Sequence, residues 1–145
     1  MQKDKSFKEN SQAVQSHLSI LQSVIQRMAS NSSSSKAWCI TLVSAVLVIV
    51  ADKGKPDYAY ISFIPILLFL FLDAYYLALE KGFRNAYNEF IEKLHKGLVS
   101  PEDLFAVTPS GKMSGLFWEA IKSLSVWPFY LTLIVMVYIA KRIVL

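Results

Sequence analysis

Three apolar runs dominate the pattern of the chain. Ala37–Ala51 (AWCITLVSAVLVIVA) is uncharged between Lys36 and Asp52. Tyr58–Leu79 (YAYISFIPILLFLFLDAYYLAL) carries Asp73 as its one charge, and Ser123–Ala140 (SLSVWPFYLTLIVMVYIA) is uncharged between Lys122 and Lys141. A helix that spans a bilayer takes roughly 20 mainly apolar residues. The second run meets that length and the third comes close. The first reaches only ~22 Å at about 1.5 Å per residue. It lengthens to a span if its helix starts within Ser32–Ser35 and Lys36 reaches up to the headgroups. A soluble helix keeps a polar face, and Phe63–Leu72 has none. Tyr58, Tyr60, Tyr75 and Tyr76 bracket the second run, and Trp38, Trp127 and Tyr138 lie near the ends of the others, as in the aromatic belts of bilayer proteins. Pro65, inside the second run, predicts a kink.

The amphipathic pattern continues on one side of these runs. Gln12–Met28 places Val14, Leu18, Leu21, Ile25 and Met28 at spacings of four and three, a heptad seam. After the second run, Leu72, Tyr76, Leu79, Phe83, Tyr87, Phe90 and Leu94 repeat the same spacing up to Gly97, a natural helix stop. The two stripes bury best against each other, as an antiparallel stalk continuous with a hairpin closed at Lys53-Gly54-Lys55-Pro56. Two other arrangements satisfy the same pattern: one stripe serves as an oligomer seam, or Gln12–Met28 lies flat on the bilayer. The second fits less well, because the polar face carries Ser and Gln rather than rows of Lys and Arg.

The predicted fold is therefore all-α: a polytopic helical membrane protein with a transmembrane hairpin, a cytosolic helical stalk and a third C-terminal transmembrane helix. Its segments are a flexible N-terminus at 1–11 and a cytosolic amphipathic helix at 12–30. A first span covers 32–51, and a second covers 58–79 and continues as a cytosolic helix to 96. Linker helices occupy 100–122, and a third span covers 123–140. In the linker, Ser100-Pro101-Glu102-Asp103 reads as a capped helix start, and Leu116, Phe117, Ala120, Ile121 and Leu124 share one side of a second stretch. Asn31–Ser35 (NSSSS) reads as a hinge or as the wet end of a span.

Charge sets the orientation. With the N-terminus in the cytoplasm, eleven Lys and Arg lie inside and four outside; the opposite orientation reverses that ratio. If Ser123–Ala140 instead re-enters or lies on the membrane, two spans remain and the C-terminus is also inside.

Composition narrows the chemistry. Over 145 residues, 54% are hydrophobic and 18% charged, which excludes a disordered chain. The single cysteine, Cys39, forms no disulfide within the chain and reads as a small apolar packer. The net charge of +4 fits an anionic membrane surface as well as nucleic acid. Direct nucleic-acid binding is not expected. Ser110-Gly111-Lys112-Met113-Ser114 lacks the first glycine and the preceding strand of a phosphate loop. His17 and His95 have no carboxylate pair beside them and read as solvated surface residues rather than metal ligands. No nucleophile–base–orienter set can be assembled, so neither catalysis, a cofactor nor a metal is predicted.

The polar residue that stands out is Asp73. A carboxylate near hydrocarbon is costly and faces a partner or water, unless it sits at the headgroup level. Lys36 or Lys122 is the candidate partner, with Thr41 and Ser44 on the same face. Glu80 and Arg84 follow at helical spacing, so Asp73, Glu80, Arg84 and Lys36 form a candidate polar cluster. Leu18, Leu21, Ile25, Leu79, Phe83, Tyr87 and Phe90 are the candidate seam contacts.

His17–Ala45 (HLSILQSVIQRMASNSSSSKAWCITLVSA) and Leu72–Tyr87 (LDAYYLALEKGFRNAY) resemble an uncharacterised family of small bacterial helical membrane proteins. That family is similar in layout to the two-transmembrane SLATT-type defence effectors. The resemblance implies a protein of the bacterial inner membrane, with the bilayer and further copies of itself as partners. It also implies a cytosolic protein or nucleotide as the signal and bilayer perturbation, in defence against phage, as the outcome. The positions it singles out are Asn31, Lys36, Trp38, Asp73, Glu80, Phe83, Arg84 and Tyr87. A membrane scaffold that tethers a cytosolic partner without conducting ions is the alternative.

Overall fold

The computed structural model describes residues 7–143, and among these every regular element is a helix, with no strand. The first helix, α1, runs unbroken from Gln12 to Lys53, 42 residues or ~63 Å. The Ser11 side chain caps its start by accepting from the Val14 N–H. Gly54, at φ +61°, ends it in the left-handed conformation that only glycine adopts freely. A 3-10 segment, Pro56–Ser62, follows the turn and leads into α2, Phe63–His95. Gly97 stops α2, with the Leu98 N–H returning to the Lys93 carbonyl.

The two long helices pack antiparallel, as the pairings Gln22–Tyr87, Ser32–Asp73 and Cys39–Pro65 show. Both Gln12–Lys53 and Pro56–His95 are long and apolar enough to cross a bilayer. In their most apolar stretches only 22% and 28% of the residues are buried inside the protein. The rest, including Ile40, Val48, Ile49, Ile64, Leu67 and Leu68, faces outward as an apolar belt.

From α2 the chain passes through a three-residue 3-10 turn, Pro101–Asp103, to α3, Met113–Ile121, and then to α4, Trp127–Ile143. Small residues let α3 approach α2 closely: Ala74 and Ala78 of α2 pack with Leu116 and Ala120 of α3. α4 runs beside the hairpin from the level of Asp73 to the turn. Near its start the Tyr130 hydroxyl donates to the Phe69 carbonyl at 2.9 Å. At its end Lys141 meets Asp57 at 2.9 Å and lies 4.0 Å from the centre of the Tyr60 ring.

The elements depart from the sequence pattern in six places. Asn31–Ser35 is neither hinge nor helix end: Ser35 bonds the Asn31 carbonyl at 2.9 Å, Ser32 bonds Asp73, and with both hydroxyls satisfied the helix continues. Pro65 falls in the first turn of α2, where its missing N–H has no helical partner to lose, so the irregularity lies before it in the 3-10 segment. The linker start at Ser100 yields only one 3-10 turn, because Leu104 is already extended. Leu124 lies outside α3 and is 80% exposed, not on its buried side. The third apolar run begins with a turn at Ser123–Val126, so α4 is 17 residues long, shorter than either long helix. Of the N-terminal segment expected to be flexible, residues 7–11 form a turn that places Phe7 against the Val14, Phe90 and Leu94 cluster. Residues 1–6 lie outside the described residues.

Candidate functional site

Two polar arrangements interrupt the apolar packing, one at each end of the stalk. The first joins α1 and α2 where the outward apolar belt ends. Asp73 is fully buried. The Ser32 hydroxyl donates to its Oδ1, and the Lys36 ammonium lies 2.6 Å from its Oδ2. Lys36 also reaches the Ser32 Oγ at 3.4 Å, so the three groups close a ring. Ser32 and Lys36 share one face of α1 because they are four residues apart. The ammonium meets Oδ2 as a charge contact without an aligned hydrogen bond. Removal of the pair from water is costly, and their attraction in the apolar surroundings offsets that cost. The net effect is register: only one sliding position of α1 on α2 brings the charges together.

The other candidate polar residues do not join this ring. Glu80 and Arg84 pair with each other, at 2.8 and 2.9 Å, with Arg84 largely exposed. Lys122, Thr41 and Ser44 are exposed and make no contact with Asp73; Thr41 bonds back to the Ala37 carbonyl instead. Ser32 was missed because it stood in a serine run read as a hinge. Its signal was present, since 28, 32, 35 and 39 continue the buried face of α1 at helical spacing.

Along the stalk, Leu21, Phe83 and Phe90 are buried, and Leu79 and Tyr87 pack beside them. Leu18 and Ile25 flank the seam rather than filling it. Its centre is Val14, His17, Leu21, Val24 and Met28, one position earlier at alternate steps than the apolar residues alone predict. The displacement comes from His17, which is buried rather than solvated. Its ring lies 4.3 Å from that of Phe90. Its Nδ1 accepts the Phe105 N–H at 2.9 Å. Burial holds the His17 imidazole below its ordinary value, with the nearby Asp103 carboxylate opposing that shift. His95 lies apart, exposed and beside Glu9.

The second arrangement is built around His17 by the segment 98–112, which straps across the stalk. Leu104 and Val107 seat in the stalk clusters. Pro109 sits over Gly82, where a Cβ would stand 2.8 Å from the proline Cβ. The Ser110 N–H donates to the Gly82 carbonyl at 2.9 Å. Phe105 takes φ +64°, a conformation that costs a residue other than glycine on the order of 1 kcal/mol or more. Asp103 fixes the near end of the strap. It accepts from the Ser100 N–H and from Lys93 at 2.8 Å, and these bonds hold its carboxyl down to about 2. Strap and stalk enclose a polar cleft of about 410 Å³ lined by His17, Glu89, Lys93, Asp103, Thr108 and Ser110. Among the described residues no group of three or more metal-ligating side chains converges. No protein family, curated protein or solved structure matches the chain.

Proposed function

We propose that this chain is a small oligomerising protein of the bacterial inner membrane that perturbs the bilayer under control of its cytosolic helices. The N-terminus faces the cytoplasm, as the Lys and Arg distribution favours, and α4 is a third span that leaves the C-terminus outside. The observation that carries the proposal is the continuity of α1. One helix joins the cleft-bearing stalk to the apolar belt with no hinge between them, so a ligand or protein that shifts the stalk also shifts the membrane segment. From the Lys36 level to Lys53 the helix rises ~26 Å, close to a hydrocarbon thickness of about 27–30 Å. Assembly, an activating nucleotide or protein, and a role in phage defence enter through the resemblance to SLATT-type effectors.

One feature favours a second reading, a non-conducting tether. The buried charge of Asp73 is neutralised within a single copy, by Lys36 and Ser32, and so is not free to line a path through the spans. A membrane-potential dye separates the two. Cells that express the chain are followed with and without phage infection and with its neighbouring genes present. Depolarisation in any of these states supports the effector. Retained potential in all of them removes it and leaves the tether.

A further inference from the structure

We propose that the strap 98–112 is a proton-sensitive latch whose catch is the hydrogen bond from the Phe105 N–H to Nδ1 of His17. The bond needs a lone pair on Nδ1, and only the neutral imidazole supplies one there. A doubly protonated ring turns Nδ1 into a donor that faces another donor, the Phe105 N–H, and leaves both unpaired. His17 has little room to turn away, because it is buried against Phe90 from α2 and sits edge-on to Phe105. Relief comes from the strap, which leaves.

The charged groups around the imidazole come from two elements. α2 contributes Glu89 and Lys93, and the strap contributes Glu102 and Asp103. Lys93 and Asp103 are bonded to each other, and Glu89 accepts from the Ser110 hydroxyl. None of the four hydrogen-bonds to His17, and Asp103 acts on the ring only through space. The catch also holds strain: Phe105 keeps its left-handed backbone while docked and is free to leave it on release. Release uncovers the apolar stalk seats of Leu104 and Val107 and the Gly82 notch.

The direction with pH follows from burial. The docked imidazole is harder to protonate than a free one, so docking is fully favoured above about 6.5, the ordinary value. It weakens as pH falls below that, toward a limit of about tenfold per pH unit. The inference does not depend on what the spans do to the bilayer, because its readout is local.

Hydrogen exchange of the full chain in nanodiscs, corrected for intrinsic exchange, tests it between pH 7.5 and 5. Protection over 98–112 is expected to fall with acid while protection in α1 and α2 persists. His17→Asn places an oxygen acceptor near the Nδ1 position without a titrating group, and should make strap protection independent of pH. His17→Phe fills the site without an acceptor and should expose the strap at every pH. Unchanged wild-type protection down to pH 5 overturns the latch, as does an Asn variant that keeps the full acid response. If the Asn variant does not fold, the wild-type profile decides, together with the NMR titration of its two imidazoles. A His17 that titrates without any change at the Phe105 amide refutes the proposal.

Discussion

Lys36→Met should be among the most damaging single substitutions in the apolar half of the protein. Methionine keeps most of the length of the side chain and removes only the ammonium. Asp73, which exposes no surface, then faces Ser32 alone. Removing one partner of a buried pair strands the other charge and costs ~3–5 kcal/mol, about 4 at mid-range. At about 2–4 °C per kcal/mol the melting temperature in detergent should drop by roughly 8–16 °C. The reverse variant, Asp73→Asn, should cost less. Lys36 keeps 19% of its side chain exposed and can turn outward. The double variant should recover most of the loss, since nothing charged remains to strand. Thermal unfolding followed by circular dichroism gives all three values, with Lys96→Met, at an exposed pair with Glu92, as the control. If Lys36→Met melts with the control, or the double variant is no better than the single, the ring does not hold the helices.

Two further outcomes concern the strap. Gly82→Ala drives a methyl into Pro109, whose Cβ would stand 2.8 Å away, so the strap should lift and the protein lose ~1–3 kcal/mol; limited proteolysis should then cut within 98–112. Asp103, held down to about 2, stabilises the near end of the strap above its ordinary value of 3.8 and loses that contribution as pH falls from about 4 toward 2. Wild-type strap protection should therefore show a second decline in that range, absent from Asp103→Asn.

The helical content and the antiparallel hairpin were legible because periodicity and apolar length are local properties. That Asp73 needs a cation at the same level was legible for a related reason, with Lys36 and Lys122 as the candidates, and the packing of α1 on α2 selects Lys36. Glu80 and Arg84 shared that periodicity but turned toward each other, since an i,i+4 pair satisfies itself without a second helix. His17 was the instructive miss. Its burial depends on an N–H from Phe105, 88 residues away, and nothing near His17 announces a donor that distant. The strap is hidden for the same reason: Gly82 reads as an ordinary helical glycine until Pro109 is seen against it.

The far end of the hairpin has its own fastening, Lys141 on Asp57 and Tyr60, apart from Lys36 and Asp73. The segment 56–95 carries both fastenings: Asp73 holds α1 at one end, and Asp57 and Tyr60 hold α4 at the other. An axial slip of that segment by one helical turn, about 5.4 Å, would pull both apart at once. Tilting the bundle as a body, or parting it from a neighbouring copy, breaks neither.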